Sequence, residues 1–124
     1  MKKGYYITTK NKKVELLPPE KENKTLDVSN RNIKELVVPY GYKTVYCHNN
    51  QLTSLELPEG IKIVSCNNNQ LTSLVLLKRV ETVFCENNQL TSLELPEGVE
   101  TVFCDISVQL INLNRKETKV ILYA

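Results

Sequence analysis

Residues 47–65 read CHNNQLTSLELPEGIKIVS, residues 66–84 read CNNNQLTSLVLLKRVETVF, and residues 85–103 read CENNQLTSLELPEGVETVF, with Cys104 opening the next stretch. Cys47, Cys66, Cys85 and Cys104 thus recur at one constant interval, the length of each quoted stretch. One period earlier lies Val28, in LDVSNRNIKELVVP. There Leu26, Val28, Ile33, Leu36 and Val38 match Val45, Cys47, Leu52, Leu55 and Leu57. The one clear loss is Arg31, where later copies carry Asn50, Asn69 and Asn88. A fixed short period is the signature of a stacked, repetitive architecture.

Within one copy the apolar positions are Ile61, Val64, Cys66, Leu71, Leu74 and Leu76. Val64-Ser65-Cys66 alternates with period 2, which predicts a short strand with Val64 and Cys66 facing one way and Ser65 the other. LTSLEL predicts a second extended stretch, and Pro-Glu-Gly turns the chain. A copy so divided leaves little room for a helix. A lone coil of this kind cannot stand, because burying six side chains does not offset the ordering of the whole copy. Stacked coils share one core, and their strands form a parallel ladder about 4.8 Å apart. Each corner of such a stack turns backbone groups away from water, and these must be paired. The Asn50, Asn69 and Asn88 amides carry both donors and an acceptor, which assigns them a structural role at that corner.

IKIVSCNNNQL fits L-x-x-L-x-L-x-x-N-x-L through Ile61, Val64, Cys66, Asn69 and Leu71, and VETVFCENNQL fits through Val80, Val83, Cys85, Asn88 and Leu90. The pattern resembles the leucine-rich repeat family. NNQLTSL followed by Leu-Pro is similar to the short repeats of bacterial and giant-virus members, including bacterial effector proteins. The resemblance covers residues 23–107. It implies a leucine-rich repeat solenoid: a right-handed superhelix with a parallel β-sheet on its concave face, extended and turn segments on the convex face, and few or no helices. It also implies that any ubiquitin-ligase chemistry of effector relatives resides in a separate domain beyond the repeats, and that delivery into a host cell is possible.

The chain of 124 residues reads as one domain, 1–124, in three parts. Residues 1–22 are expected to form a capping hairpin, turning near Asn11 and placing Leu17 where Leu36 stands in the first repeat. Residues 23–107 hold the repeats. Residues 108–124 form a diverged cap. There Val108, Ile111 and Leu113 map to Leu90, Leu93 and Leu95 with one residue deleted, Ser107 takes the Asn position, and Val120 and Leu122 point inward. The last strand leaves an open edge, a route to end-to-end dimers.

Hydrophobic residues make up 41% of the chain and charged residues 24%, the balance of a globular protein. No apolar run approaches the roughly 20 residues of a membrane span. MKKGYYITTKNKK has no apolar core behind its basic start, so a signal peptide is not expected and a cytoplasmic location is. Residues 1–24 carry seven Lys and three Glu; residues 25–124 carry nine Lys and Arg against eleven Asp and Glu. The basic start reads as a solvated hairpin surface. It lacks the interleaved aromatics of single-strand binders, which disfavours nucleic acid. Asn23-Lys24-Thr25 is a formal glycosylation sequon, which carries little weight without a leader.

The evenly spaced Cys47, Cys66, Cys85 and Cys104 lack the close pairs of zinc sites, so no metal is expected. They read as a buried column of small apolar side chains, with disulfides between neighbouring coils as the other reading. His48, the only His, follows Cys47 directly, and adjacent strand residues face opposite ways, which disfavours a dyad. With no Gly-rich phosphate loop, no paired carboxylates and no cofactor motif, an enzyme is not expected.

The variable strand positions, which the resemblance puts on the concave face, form three columns. One reads Lys24, Lys43, Lys62, Glu81, Glu100. The second reads Asp27, Tyr46, Ser65, Phe84, Phe103, and the third Ser29, His48, Asn67, Glu86, Asp105. Both Phe of the chain fall in the second column. Aromatics displayed beside charges are the composition of a protein-binding surface. The other reading is that the rings only shield the sheet. The expected partner-binding residues are Lys43, Tyr46, His48, Lys62, Ser65, Glu81, Phe84, Glu86, Glu100, Phe103 and Asp105. The partner is another protein, and the chain itself is a monomer or weak homodimer. The alternative function is a structural component that associates through its open edge or apolar patch.

Overall fold

The computed structural model describes residues 3–124. Its strands are β1 (Gly4–Thr8), β2 (Lys13–Leu16), β3 (Thr25–Asp27), β4 (Ile33–Val37), β5 (Thr44–Tyr46), β6 (Ser54–Glu56), β7 (Ile63–Ser65), β8 (Thr82–Phe84), β9 (Ser92–Glu94), β10 (Thr101–Asp105), β11 (Gln109–Ile111) and β12 (Lys119–Tyr123). Among the described residues there is no helix, so none is long and apolar enough to cross a membrane.

The chain is a β-solenoid of about five turns. Strands β3, β5, β7, β8, β10 and β12 stack as one six-stranded parallel sheet. Its register follows the repeat: Leu26 opposes Val45, Val45 opposes Val64, Val64 opposes Val83, and Val83 opposes Val102. The return stretch builds a second ladder, β2-β1-β4-β6, and a separate pair, β11-β9. The core lies between the two faces. Ile61, Val64, Cys66, Leu71, Leu74 and Leu76, the six apolar positions of one copy, are all buried.

The second ladder breaks at the third coil, where residues 73–75 form no strand. That coil alone reads Leu76-Leu77-Lys78-Arg79 where its neighbours read Leu57-Pro58-Glu59-Gly60 and Leu95-Pro96-Glu97-Gly98. It also carries Val75 at the outward position of Glu56 and Glu94, and Val75 is 71% exposed.

The N-terminal hairpin forms, turning through the left-handed Asn11 at φ 64°. It caps only the second face, where β1 pairs antiparallel with β4. Leu17 does not take the place expected of it: it is 79% exposed. Tyr6 does, lying opposite Leu36 and buried against the core. An antiparallel cap puts a residue of β1 beside Leu36, and the chain has already left that ladder by Leu17.

The C-terminal register also differs from expectation. Leu110, not Ile111, lies opposite Leu93. The last coil has therefore lost one position more than the single deletion that the sequence alignment requires. Ile111 faces outward as a result, and Leu110 packs on the core. Val108 is buried and Leu113 packs on the core, as expected. Val120 opposes Val102 and packs inward, and Leu122 opposes Cys104. Leu122 nevertheless remains 51% exposed, because no further coil among the described residues covers it.

Candidate functional site

The outer face of the six-stranded sheet carries the second and third columns. The alternation in β10 is clean: Val102 and Cys104 are buried, while Thr101, Phe103 and Asp105 are not. Parallel pairing then places Phe103 beside Phe84, and Phe84 beside Ser65. The two rings stack with centroids 4.3 Å apart and planes inclined by 13°. The register extends this column past the repeats: Ile121 lies opposite Phe103. Sequence reasoning misses Ile121 because the last spacing falls one position short of the period. At the other end Tyr46 meets the His48 ring edge-on at 6.2 Å.

Ser65, expected to face a partner, is only 8% exposed. Its hydroxyl donates to Asn67 Oδ1 at 2.9 Å and lies 3.1 Å from His48 Nδ1. A hydroxyl has one proton, so Nδ1 must donate here. Ser65 thus holds His48 and Asn67 in place, and His48 is what the face presents.

Asp105 is also committed to the fold. Its carboxylate accepts from Asn87 N at 2.9 Å and Asn88 N at 3.3 Å. In earlier coils such corner amides donate to main-chain oxygens, as Asn69 N does to Asn87 O. Glu86, one rung away, has a buried Oε1 with no hydrogen-bond partner among the described residues. Burial pushes its carboxyl above the usual carboxylate range, and the charge of Asp105 adds to the rise.

The first column does not share this face. Lys43, Lys62, Glu81 and Glu100 each stand just ahead of their strands, at the corner. Lys43 and Lys24 line a groove there with Lys78 and Arg79, away from the aromatic column. The strand positions preceding the inward valines belong instead to Thr82 and Thr101, whose Cα atoms pair across the ladder.

Cys47, Cys66, Cys85 and Cys104 are free thiols and fully buried. Burial pushes the Cys47 thiol up to about 12 and holds Cys66 well above its ordinary value, with the neighbouring Cys47 adding to the latter. His48 points away from Cys47, whose side chain lies in the core.

Each Asn of the corner ties its own coil to the one before. Asn69 Nδ2 donates to Cys66 O at 3.0 Å and Cys47 O at 3.1 Å, and its Oδ1 accepts from Leu52 N at 2.9 Å. Asn50 and Asn88 repeat the pattern. A second Asn ladder, not singled out from sequence, runs beside it. Asn68 donates to Asn49 at 2.8 Å and Asn87 to Asn68 at 2.6 Å. These residues sit at φ 57–58°, a conformation Asn tolerates better than most. The doubled Asn in each repeat is the signal that could have found them.

Among the described residues no group of three or more His, Cys, Asp or Glu is placed to hold a metal ion. No family model matches the chain, and no curated protein or solved structure does either.

Proposed function

We propose that the chain is a protein-binding module of the leucine-rich repeat type, and that it meets its partner with the outer face of the six-stranded sheet as a concave surface. The observation that carries this reading is the stacked pair Phe84 and Phe103, continued by Ile121, on a face that the core does not need. Buried aromatic anchors dominate interface energetics, and two rings in stacking contact are a preformed anchor. The leucine-rich repeat reading is supported by the motif residues themselves, since Ile61, Val64, Cys66 and Leu71 are buried and Asn69 bonds the corner. Glu86 and Asp105, the carboxylates of the third column on this face, favour a partner that is basic around its contact point, and would act on its on-rate more than on its affinity.

The test replaces both rings, Phe84→Ser with Phe103→Ser, and uses wild type and variant as parallel baits in source-cell extract. The variant should fold, because neither ring belongs to the buried set, and should lose a protein that wild type retains, by about 2 kcal/mol or more once the affinity is measured. An unfolded variant, or an equal yield from both baits, refutes the reading.

A second reading has its own observation. Ile106, Ile111, Leu122 and Tyr123 are all exposed large hydrophobics at the C-terminal end of the stack, and β12 is an edge strand there. Such an edge favours self-association. Sedimentation across a concentration series decides it: a constant monomer mass removes it.

A further inference from the structure

Three turns into the first sheet pass through a left-handed glycine: Gly41 at φ 110°, Gly60 at φ 89° and Gly98 at φ 93°. The third coil makes the same turn with Arg79, at φ 79°. A side chain crowds its own backbone in this region, and glycine does not. Since glycine stands at each of these equivalent corners, the fold alone would favour glycine at 79. Strained residues of this sort cluster where a site needs their side chain.

The surroundings supply the reason. Lys24, Lys43, Lys78 and Arg79 line one concavity of about 620 Å³, whose only acidic residue among those described is Glu59. Lys43 N donates to Lys24 O at 2.8 Å, so these two lysines occupy consecutive rungs of one corner. Like charges one rung apart repel. Further along, the rung after Lys62 carries the acidic Glu81. Lys24 and Lys43 instead meet two more cations from the third coil's irregular turn. Lys43 reaches into the concavity: a Cβ built on Gly60 would lie 3.2 Å from its Nζ. The concavity is bordered by Tyr40 and Leu77, which continue into an apolar groove with Leu55, Leu57 and Val75.

We infer that this corner binds a phosphate monoester, with the charged group between Arg79 and Lys43 and the organic body along the apolar groove. The guanidinium offers paired donors that match phosphate oxygens, while the lysines act as point charges. The third coil gives up both its Pro-Glu-Gly turn and its strand to build this place. The inference is independent of the aromatic face, which lies on the outer side of the sheet.

Amide NMR titrations with phenyl phosphate and with inorganic phosphate, at ionic strength held constant with chloride, test it. Saturable shifts are expected at Lys24, Lys43, Gly60, Lys78 and Arg79, with phenyl phosphate the tighter of the two. Arg79→Gly should raise the melting temperature and weaken phenyl phosphate binding about tenfold, the scale of one charge-assisted hydrogen-bonded contact. Vesicles containing phosphatidic acid identify the source. Retention of wild type but not Arg79→Gly assigns the ester to a lipid; no retention, with phenyl phosphate bound, assigns a free ester. Shifts that do not saturate overturn the inference. So do shifts equally large at Lys10, Lys12 and Lys13, or an unchanged affinity in Arg79→Gly.

Discussion

Asn69 shows how much one side chain can carry in a stack. Its amide serves two coils at once, and the backbone groups it pairs are buried. The bonds run backward to the preceding coil. The first coil has no earlier repeat to reach, which accounts for Arg31 at the equivalent position. Asn69→Ala should therefore destabilise the fold by at least about 1–3 kcal/mol, the cost of leaving a buried polar group unpaired. Urea titrations of the two proteins check this, and coincident midpoints would contradict it. Glu86 sits at the opposite extreme, a carboxylate the fold tolerates poorly. Its folded-state affinity for a proton is raised, through burial first and Asp105 second. Its contribution to stability is thus complete below the ordinary carboxylate range and is lost as pH rises through the raised value. Glu86→Gln should raise the melting temperature at neutral pH, with the gain vanishing under acid conditions where Glu86 is protonated in both the folded and unfolded states. Thermal melts at the two pH values measure it; a gain that grows on acidification is the wrong sign.

At the scale of elements, the ends of the solenoid are treated unequally. The N-terminal hairpin closes the second face by laying β1 against β4, and it comes so close that Gly4 touches the Pro39 ring. A Cβ at Gly4 would overlap Pro39 Cδ, and neither the strand backbone nor the ring can swing aside. Gly4→Ala should cost about 1–3 kcal/mol, the usual scale of overpacking. Limited proteolysis within residues 4–16 should quicken in parallel as the cap loosens. Unchanged denaturation and unchanged cleavage would show that the contact yields. The C-terminal end is closed less completely, since β12 extends the first sheet while Leu122 and Tyr123 stay exposed.

Across the whole molecule, one repeated translation along the chain, from Cys47 to Cys66 to Cys85 to Cys104, generates most of what is seen. That period is enough to predict a solenoid, because a copy that cannot bury its own apolar face must be covered by an equivalent copy. Period-2 alternation around Cys66 and Cys104 is enough to place the thiols inside and Ser65, Phe84 and Phe103 on the other side. Where the repeat lapses, the sequence could not supply the register. Leu110 rather than Ile111 faces Leu93, Tyr6 rather than Leu17 meets Leu36, and Ile121 joins the aromatic column. Each depends on which strands pair, and pairing partners far apart in the chain are chosen by the fit of the assembled core. The side-chain environments needed the tertiary structure for the same reason. Ser65 is covered by His48 and Asn67 from different positions along the ladder, and Arg79 meets Lys24 and Lys43 only because three coils bring one corner together. The repeat determines what each coil is; the closing of one coil on the next decides which of its side chains remain free to meet anything else.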